Sequence, residues 1–138
     1  MKKCKFILLL FVLFVGGNLF SQNSNRTRVY VIPAGKLEVP VTISGKLAIK
    51  QFYGPPNYGE TPKIDKIESY YVLQLYEPIT VQEGSSTATV NEIQLILYNN
   101  NSGLITGGNY VVEGEAFFAQ TGHHHTPIMI SVNRITKE

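Results

Sequence analysis

Residues 39–49 read Val-Pro-Val-Thr-Ile-Ser-Gly-Lys-Leu-Ala-Ile, and this stretch decides the fold class. Its odd-numbered positions are all apolar apart from Gly45. A period of two turns one face of a β-strand toward the core and the other toward water. A glycine inside so long a strand predicts a bulge or a sharp bend. The segment therefore predicts a long, bent strand with one buried face.

Four more segments carry the same period or a β-branched and aromatic composition, and they predict strands at residues 69–76, 92–98, 110–119 and 127–135. The sequence also permits a short additional strand at residues 29–33. Turn-forming residues separate these segments, most clearly the Gly-Pro-Pro-Asn-Tyr-Gly stretch that begins at Gly54 and opens a loop reaching about Glu68.

Five strands with a bent first member indicate an all-β domain. We expect a small five-stranded OB-like barrel, because that fold bends its first strand and closes on itself. It also places a helix between its third and fourth strands, and here only residues 104–109 could hold a helical turn within an Asn- and Gly-rich connection. A β-sandwich is the alternative architecture.

The first 21 residues have the layout of a secretory signal peptide. Residues 1–5 form a basic head, residues 6–15 form an unbroken apolar run, and the segment ends at Ser21. The apolar run is too short for a membrane-spanning helix, which needs roughly 20 residues. We therefore predict an exported protein, periplasmic or extracellular, without a stable membrane anchor. The expected organisation is a signal peptide at 1–21, a polar tether with the short extra strand at 22–36, and a single domain at 37–138.

Removal of this leader changes the charge and the thiol content. The leader holds three of the 12 basic residues, which leaves nine against 10 acidic residues and moves the formal net charge from +2 to −1. Cys4, the single cysteine, leaves with it. Nucleic-acid binding requires clustered basic residues, so we exclude that class of partner.

All three histidines are adjacent, at His123, His124 and His125. In an extended segment the first and third point the same way, about 6.8 Å apart at their Cα atoms. They could then share a divalent transition metal such as zinc, which usually takes three or four protein ligands. A third ligand would have to be a carboxylate such as Glu115, Glu113 or Asp65, a water, or a neighbouring subunit. The alternative is a polar loop whose rings hydrogen-bond to the backbone.

The loop that begins at Gly54 is the second candidate region. Asn57, Tyr58 and Asp65 could present hydrogen-bonding groups above the mouth of a barrel. Tyr71 lies on the predicted second strand, in the part of an OB-type barrel that commonly binds ligands, and tyrosine suits such surfaces because it is large, rigid and half polar. These residues, together with His124, are the predicted ligand-binding set; packing between neighbouring strands is the alternative role for the tyrosine.

Evidence for catalysis is thin. The chain lacks a Gly-x-Ser-x-Gly motif, and a Ser-His-Asp arrangement would have to use Asp65, the one aspartate. Glu113 and Glu115 lie two residues apart on one strand, where paired carboxylates usually form a solvated face. The sequence therefore leans toward a protein that is not an enzyme.

Two stretches, Gly-Pro-Pro-Asn-Tyr-Gly-Glu at 54–60 and Thr-Gly-His-His-His-Thr-Pro at 121–127, resemble the uncharacterised bacterial exported domain family of unknown function number 4431. The resemblance extends over roughly residues 39–135. It implies a small exported protein, because members of that family look like small exported proteins. Some members are joined to regions similar to lysozyme inhibitors. The resemblance implies no established activity.

Three functions remain open at this stage. The first is an exported, non-catalytic binding module of the cell envelope that holds a small ligand, a glycan or an envelope protein. The second is a metal-binding protein or metal-dependent hydrolase that uses His123 and His125. The third, which rests on the resemblance, is an inhibitor or immunity protein against a wall-degrading enzyme.

Overall fold

The computed structural model describes residues 27–98 and 103–138. The predicted signal peptide and residues 22–26 of the predicted tether lie outside these ranges. The described residues form six strands: β1 (Arg28–Ile32), β2 (Val39–Tyr53), β3 (Ile67–Glu83), β4 (Ser86–Leu97), β5 (Asn109–Phe118) and β6 (Ile128–Lys137). In these two ranges there is no helix, and hence none long and apolar enough to cross a membrane.

The strands form one mixed sheet, which confirms the all-β prediction. β2 pairs with β3, β3 with β4, β4 with β6, β6 with β5, and β5 returns to β2, so a ring of hydrogen bonds runs through five strands. Within the ring only β4 and β6 are parallel. β1 lies outside the ring and pairs in parallel with the second half of β3.

Two of the predicted strands were too short. β3 continues past Tyr76 to Glu83, because a break in the register between Gln74 and Ile79 accommodates Pro78, and the strand resumes pairing beyond it. β4 starts at Ser86 rather than at residue 92. Proline cannot donate to a ladder, so Pro78 conflicts with a regular strand at this position. A bulge resolves that conflict without ending the strand.

The connection between β4 and β5 contains no helix in its described part. Residues 106–107 form a tight turn, with Gly107 at a positive φ of 83°. Its backbone is bonded to β2, since Gly107 N donates to Leu47 O and Leu47 N donates to Gly108 O. The helical turn that residues 104–109 could have held is therefore replaced by an extension of the β2–β5 pairing.

Two glycines inside long strands, Gly45 and Gly114, lie where backbones approach most closely. A Cβ on Gly45 would run into the carbonyl oxygen of Gln74 on β3, and one on Gly114 would run into that of Ser131 on β6. Gly114 also adjoins the register shift of the β5–β6 ladder. Any side chain at either position would push a neighbouring strand away.

The interior of the ring is filled by apolar side chains from alternate positions, including Val41, Ile43, Leu47, Leu73, Ile93, Val112, Ile128 and Ile130. This agrees with the predicted inward faces of the strands. Ile49 is the exception, because it shares their parity and is 51% exposed. β2 and β3 extend as a two-stranded ribbon beyond the point where the ring closes, so Ile49 has no opposite wall to pack against.

A second buried layer lies on the outward face of the same sheet. Val72, Gln94 and Met129 are directly opposite one another on β3, β4 and β6, and their exposures are 0, 2 and 0%. Strand alternation predicts these positions to face solvent. They are covered because residues 119–127, here called the histidine loop, fold across them between β5 and β6.

Candidate functional site

Gln94 attaches the histidine loop to the sheet. Its side-chain Nε2 donates to the carbonyl of His123 at 3.0 Å, and its Oε1 accepts from the backbone N–H of His125 at 2.8 Å. The Gln94 backbone N–H donates to Thr126 Oγ1, which donates in turn to the carbonyl of Ile128. Buried polar groups are costly unless paired, so this pairing holds the loop in one position.

These hydrogen bonds of Gln94 hold the histidine loop so that two of its three imidazoles lie beside Glu68. Oε2 of Glu68 lies 2.9 Å from His123 Nδ1 and 3.5 Å from His125 Nε2, and it accepts from the hydroxyl of Tyr70 at 3.0 Å. Glu68 and Tyr70 share the outward face at the start of β3. These four residues, together with Phe52, are called the His–Glu cluster below.

Phe52 supports His125 from the neighbouring strand. The two rings stack with their centroids 4.4 Å apart and their planes 3° from parallel. The side chain of His125 is 11% exposed, whereas that of His123 is 50% exposed. His125 Nε2 is buried without a hydrogen-bond partner. Within the cluster, His123 is therefore the histidine that solvent or a ligand reaches.

The carboxylate of the cluster is held in its ionised form. The hydrogen bond from His123 lowers the pKa of Glu68, although partial burial opposes the shift. Burial and donation to Glu68 both raise the pKa of Tyr70, so its hydroxyl stays protonated. A fixed negative charge thus lies beside two imidazoles at neutral pH.

His124 points to a different environment. Its Nδ1 accepts from the backbone N–H of Gln120 at 2.9 Å, and its ring lies edge-on to Phe117. Burial lowers the pKa of His124, and electrostatic repulsion from the neighbouring His123 and His125 side chains lowers it further. A neutral ring whose Nδ1 accepts must carry its proton on Nε2, so His124 is a hydrogen-bond donor on that side.

The loop at residues 54–66 is organised by Asp65, which is buried. Its carboxylate accepts from the backbone N–H groups of Asn57 and Gly59, each at 2.8 Å, and of Thr61 at 3.2 Å. The side-chain amide of Asn57 donates to the Thr61 hydroxyl. Two of the predicted ligand-binding residues, Asn57 and Asp65, therefore direct their polar groups into the loop itself.

The two loops touch through Tyr58. This residue has a positive φ of 51°, and its ring lies edge-on to His123 with centroids 5.9 Å apart. A Cβ on Gly122 would sit 2.6 Å from the Tyr58 ring, and one on Gly54 would sit 2.5 Å from the Glu68 carboxyl carbon. The Gly-Pro-Pro-Asn-Tyr-Gly-Glu and Thr-Gly-His-His-His-Thr-Pro stretches thus meet in space, and their glycines permit the contact.

A groove of about 430 Å³ adjoins the cluster. It lies where the β3–β4 ladder ends, at the Val72–Gln94 pair. Beyond that pair the start of β3 is bonded to β2 and the end of β4 to β6, so the strands separate as a fork. The groove is lined by Ser69, Tyr70, Tyr71, Gln94, Leu95, Ile96, Leu97, His123 and His124. The structure thus places Tyr71, His123 and His124 of the predicted set around one groove.

Sequence reasoning missed three residues of this site. Glu68 was taken as the end of a loop, although its alternation with Tyr70 at the start of a strand placed both on one face. Gln94 lies at an outward position that polar residues normally occupy in contact with water. Phe52 lies at an even-numbered position of β2, on the face opposite the apolar odd-numbered positions. Sequence patterns show which face a residue occupies, but not that a distant loop covers that face.

The carboxylate beside the two predicted metal ligands is not one that the sequence analysis named. Glu68, not Glu113, Glu115 or Asp65, lies near both His123 and His125. Across residues 27–98 and 103–138, however, no group of three or more His, Cys, Asp or Glu side chains is arranged so that it could hold a metal ion.

Comparison with known families assigns part of the chain. Residues 92–136 match the family described as Domain of unknown function (DUF4431). This confirms the resemblance over the second half of β4, β5, the histidine loop and most of β6, a shorter range than the expected 39–135. Searches of curated proteins and of solved structures returned no significant match.

Proposed function

We propose that this chain, whose residues 92–136 are a DUF4431 domain, is an exported, non-catalytic binding module of the bacterial cell envelope. One observation carries the proposal: the histidine loop is fixed against the 54–66 loop at Tyr58 and against the start of β3 at Glu68, beside an open groove. A small ligand, a glycan or an envelope protein would bind where the loops meet.

We further propose that the ring is an OB-type barrel. Support comes from its five strands, its Greek-key order with one parallel pair, and a long first ring strand that pairs with both neighbours at Gly45. In that fold the loops after the first and fourth strands flank the binding face. Counted in chain order among the ring strands, these are the 54–66 loop after β2 and the histidine loop after β5.

The hydrogen bonding of the cluster favours binding over catalysis. Glu68 already accepts from Tyr70 and His123, and His125 Nε2 is buried. A general base must reach the proton that it removes, and here the basic groups face one another. His123, His124 and Ser69 instead present donors and acceptors along the groove.

Ligand mapping by two-dimensional ¹H–¹⁵N NMR tests this function. The tag-free chain would be titrated with peptidoglycan fragments, neutral oligosaccharides and synthetic peptides. We expect shifts confined to residues 68–72, 94–97 and 121–125, abolished by His123→Gln and retained by Glu113→Gln on the exposed face of β5. Robust hydrolytic turnover that disappears with His123→Gln or Asp65→Asn would contradict a non-catalytic role.

A metal site is the second candidate, favoured by the position of Glu68 beside both rings. It would take a divalent transition metal such as zinc on His123, His125 and Glu68, and these side chains would have to rearrange to hold it, because no group of three such side chains in the described residues is arranged for a metal ion. Metal analysis of the tag-free chain beside His123→Ala and His125→Ala tests it. Stoichiometric metal that both variants lose would support this candidate, and a metal-free, folded protein would reject it.

A further inference from the structure

The fork between β3 and β4 exposes two strand edges to the same gap. Residues 67–71 of β3 pair with β2 on one side, and residues 95–97 of β4 pair with β6 on one side. The ladder that joins β3 to β4 stops at Val72 and Gln94 and does not continue between these residues. Strand edges that face a gap are templates for another strand.

The direction of the backbone groups at the fork follows from Gln94. Its N–H donates to Thr126, on the side away from β3. Because backbone groups alternate sides along a strand, the N–H and C=O of Leu95 and Leu97 point toward β3. Leu73 of β3 lies opposite Ile93 of β4, and its backbone N–H and C=O point toward β4. Because the groups alternate sides, the N–H and C=O of Tyr71 and Ser69 point toward β4 as well.

The groove between these edges has the lining that an extended chain requires. Tyr71, Leu95 and Leu97 supply apolar surface at alternate positions, while Ser69 and the two histidines form a polar rim. Successive gap-facing groups along either edge are about 6.8 Å apart, the repeat of a β-strand. The main chain of an extended peptide offers donors and acceptors at this repeat.

We propose that the groove binds an extended peptide segment, which enters as a strand between β3 and β4. The main chain of the peptide would pair with Ser69 and Tyr71 on one side and with Leu95 and Leu97 on the other, as in recognition by strand addition. One face of the peptide would pack on Tyr71, and the other would meet His123 and His124. This inference rests on the proposed function and names the class of ligand.

Amide hydrogen exchange in the free chain is the first test. We expect the amides of Tyr71 and Leu95 to exchange at least about tenfold faster than those of Leu73 and Ile93, because the ladder protects only the latter pair. Equal protection of all four amides would show that the edges are already paired, and it would overturn the proposal.

Binding is tested with heptapeptides selected from a random library against the chain. A selected peptide should slow exchange at Tyr71 and Leu95 and should lose at least tenfold in affinity when alternate amide nitrogens are methylated, which removes donors from one edge. Ser69→Pro should weaken binding about tenfold, since it deletes one gap-facing donor. Ser69→Ala, which keeps that donor, is the matched control, and thermal melting checks that both variants fold.

Each contrary result has a distinct meaning. If no peptide is selected, or if the methylated peptide binds equally well, strand addition is wrong. If peptidoglycan fragments or oligosaccharides still shift residues 94–97 and 121–125, the binding function stands without a peptide ligand. Protection of the same amides that rises with protein concentration would make a second copy of the chain the occupant and would also reject the proposal.

Discussion

The two buried layers of this sheet are built from different chemistry. Inside the ring, Leu47, Leu73 and Ile93 belong to a cluster made of apolar side chains and Tyr110. Outside it, Val72 and Met129 share their layer with a fully hydrogen-bonded glutamine and threonine. Apolar burial stabilises a fold without direction, whereas hydrogen bonds have direction. The interior therefore supplies stability, and the outer layer sets the position of the histidine loop.

The largest effect should come from the interior. Leu73→Ala removes a side chain with no exposed surface, and we expect it to lower the free energy of unfolding by about 2–5 kcal/mol. Urea denaturation measures the change. If the variant remains folded, the NMR signals of residues 121–126 should keep their positions. A loss well under 1 kcal/mol would mean that the interior is not the main source of stability.

Gln94→Leu should have a smaller effect on stability and a larger one on the site. It leaves the His123 carbonyl and the His125 N–H without partners, which should lower the free energy of unfolding by about 1–3 kcal/mol. It should also shift the NMR signals of the whole histidine loop. Gln74→Leu is the matched control, because Gln74 is exposed on the same face, and we expect a change within about 0.5 kcal/mol. Similar effects at both positions would show that Gln94 does not hold the histidine loop in place.

Asp65→Asn should disturb one loop only. The substitution removes the charge that accepts from Asn57, Gly59 and Thr61, at about 1 kcal/mol. Amide signals of residues 57–61 should move, and ligand-induced shifts at residues 94–97 should persist. If those ligand shifts vanish while His123 keeps its signals, Asp65 contacts the ligand directly, as the sequence predicted.

Glu68→Gln should give the smallest change, and the change should depend on pH. The pKa of Glu68 lies below its ordinary value of 4.5 in the folded chain. The contribution of the Glu68 carboxylate to the free energy of unfolding is thus fully present above pH 4.5 and is lost as the pH falls through the pKa of the folded state. Melting temperatures of wild type and variant should differ at neutral pH and converge in acid. A difference that persists at a pH well below 4.5 would contradict this assignment.

Much of the fold followed from the sequence. Period-two alternation located the ring strands. The bulge or bend predicted at Gly45 is not seen as a register shift, because both ladders include Gly45 without a break, whereas Gly114 adjoins a register shift. The pattern failed at Pro78, where a bulge lets β3 continue. It also failed at Ile49, where β2 and β3 extend beyond the point at which the ring closes. Both failures depend on contacts between strands, which a local pattern does not contain.

The candidate site was predicted only in part. The histidine run and the loop that begins at Gly54 were both identified, yet nothing local indicated that they meet at Glu68. Asp65 drew attention as the single aspartate, and its carboxylate proves to hold its own loop together. Gln94 carried no signal, because its importance comes from a loop about 30 residues further along the chain.

We infer that Glu68, at the start of β3, joins the 54–66 loop and the histidine loop into one site. The most direct test is an NMR spectrum that correlates histidine ring protons with ring nitrogens, recorded at neutral pH on wild type and Glu68→Gln. We predict that His123 carries its proton on Nδ1, that His124 carries its proton on Nε2, and that the variant changes only the signals of His123 and His125. Unchanged signals for those two rings in the variant would contradict the account.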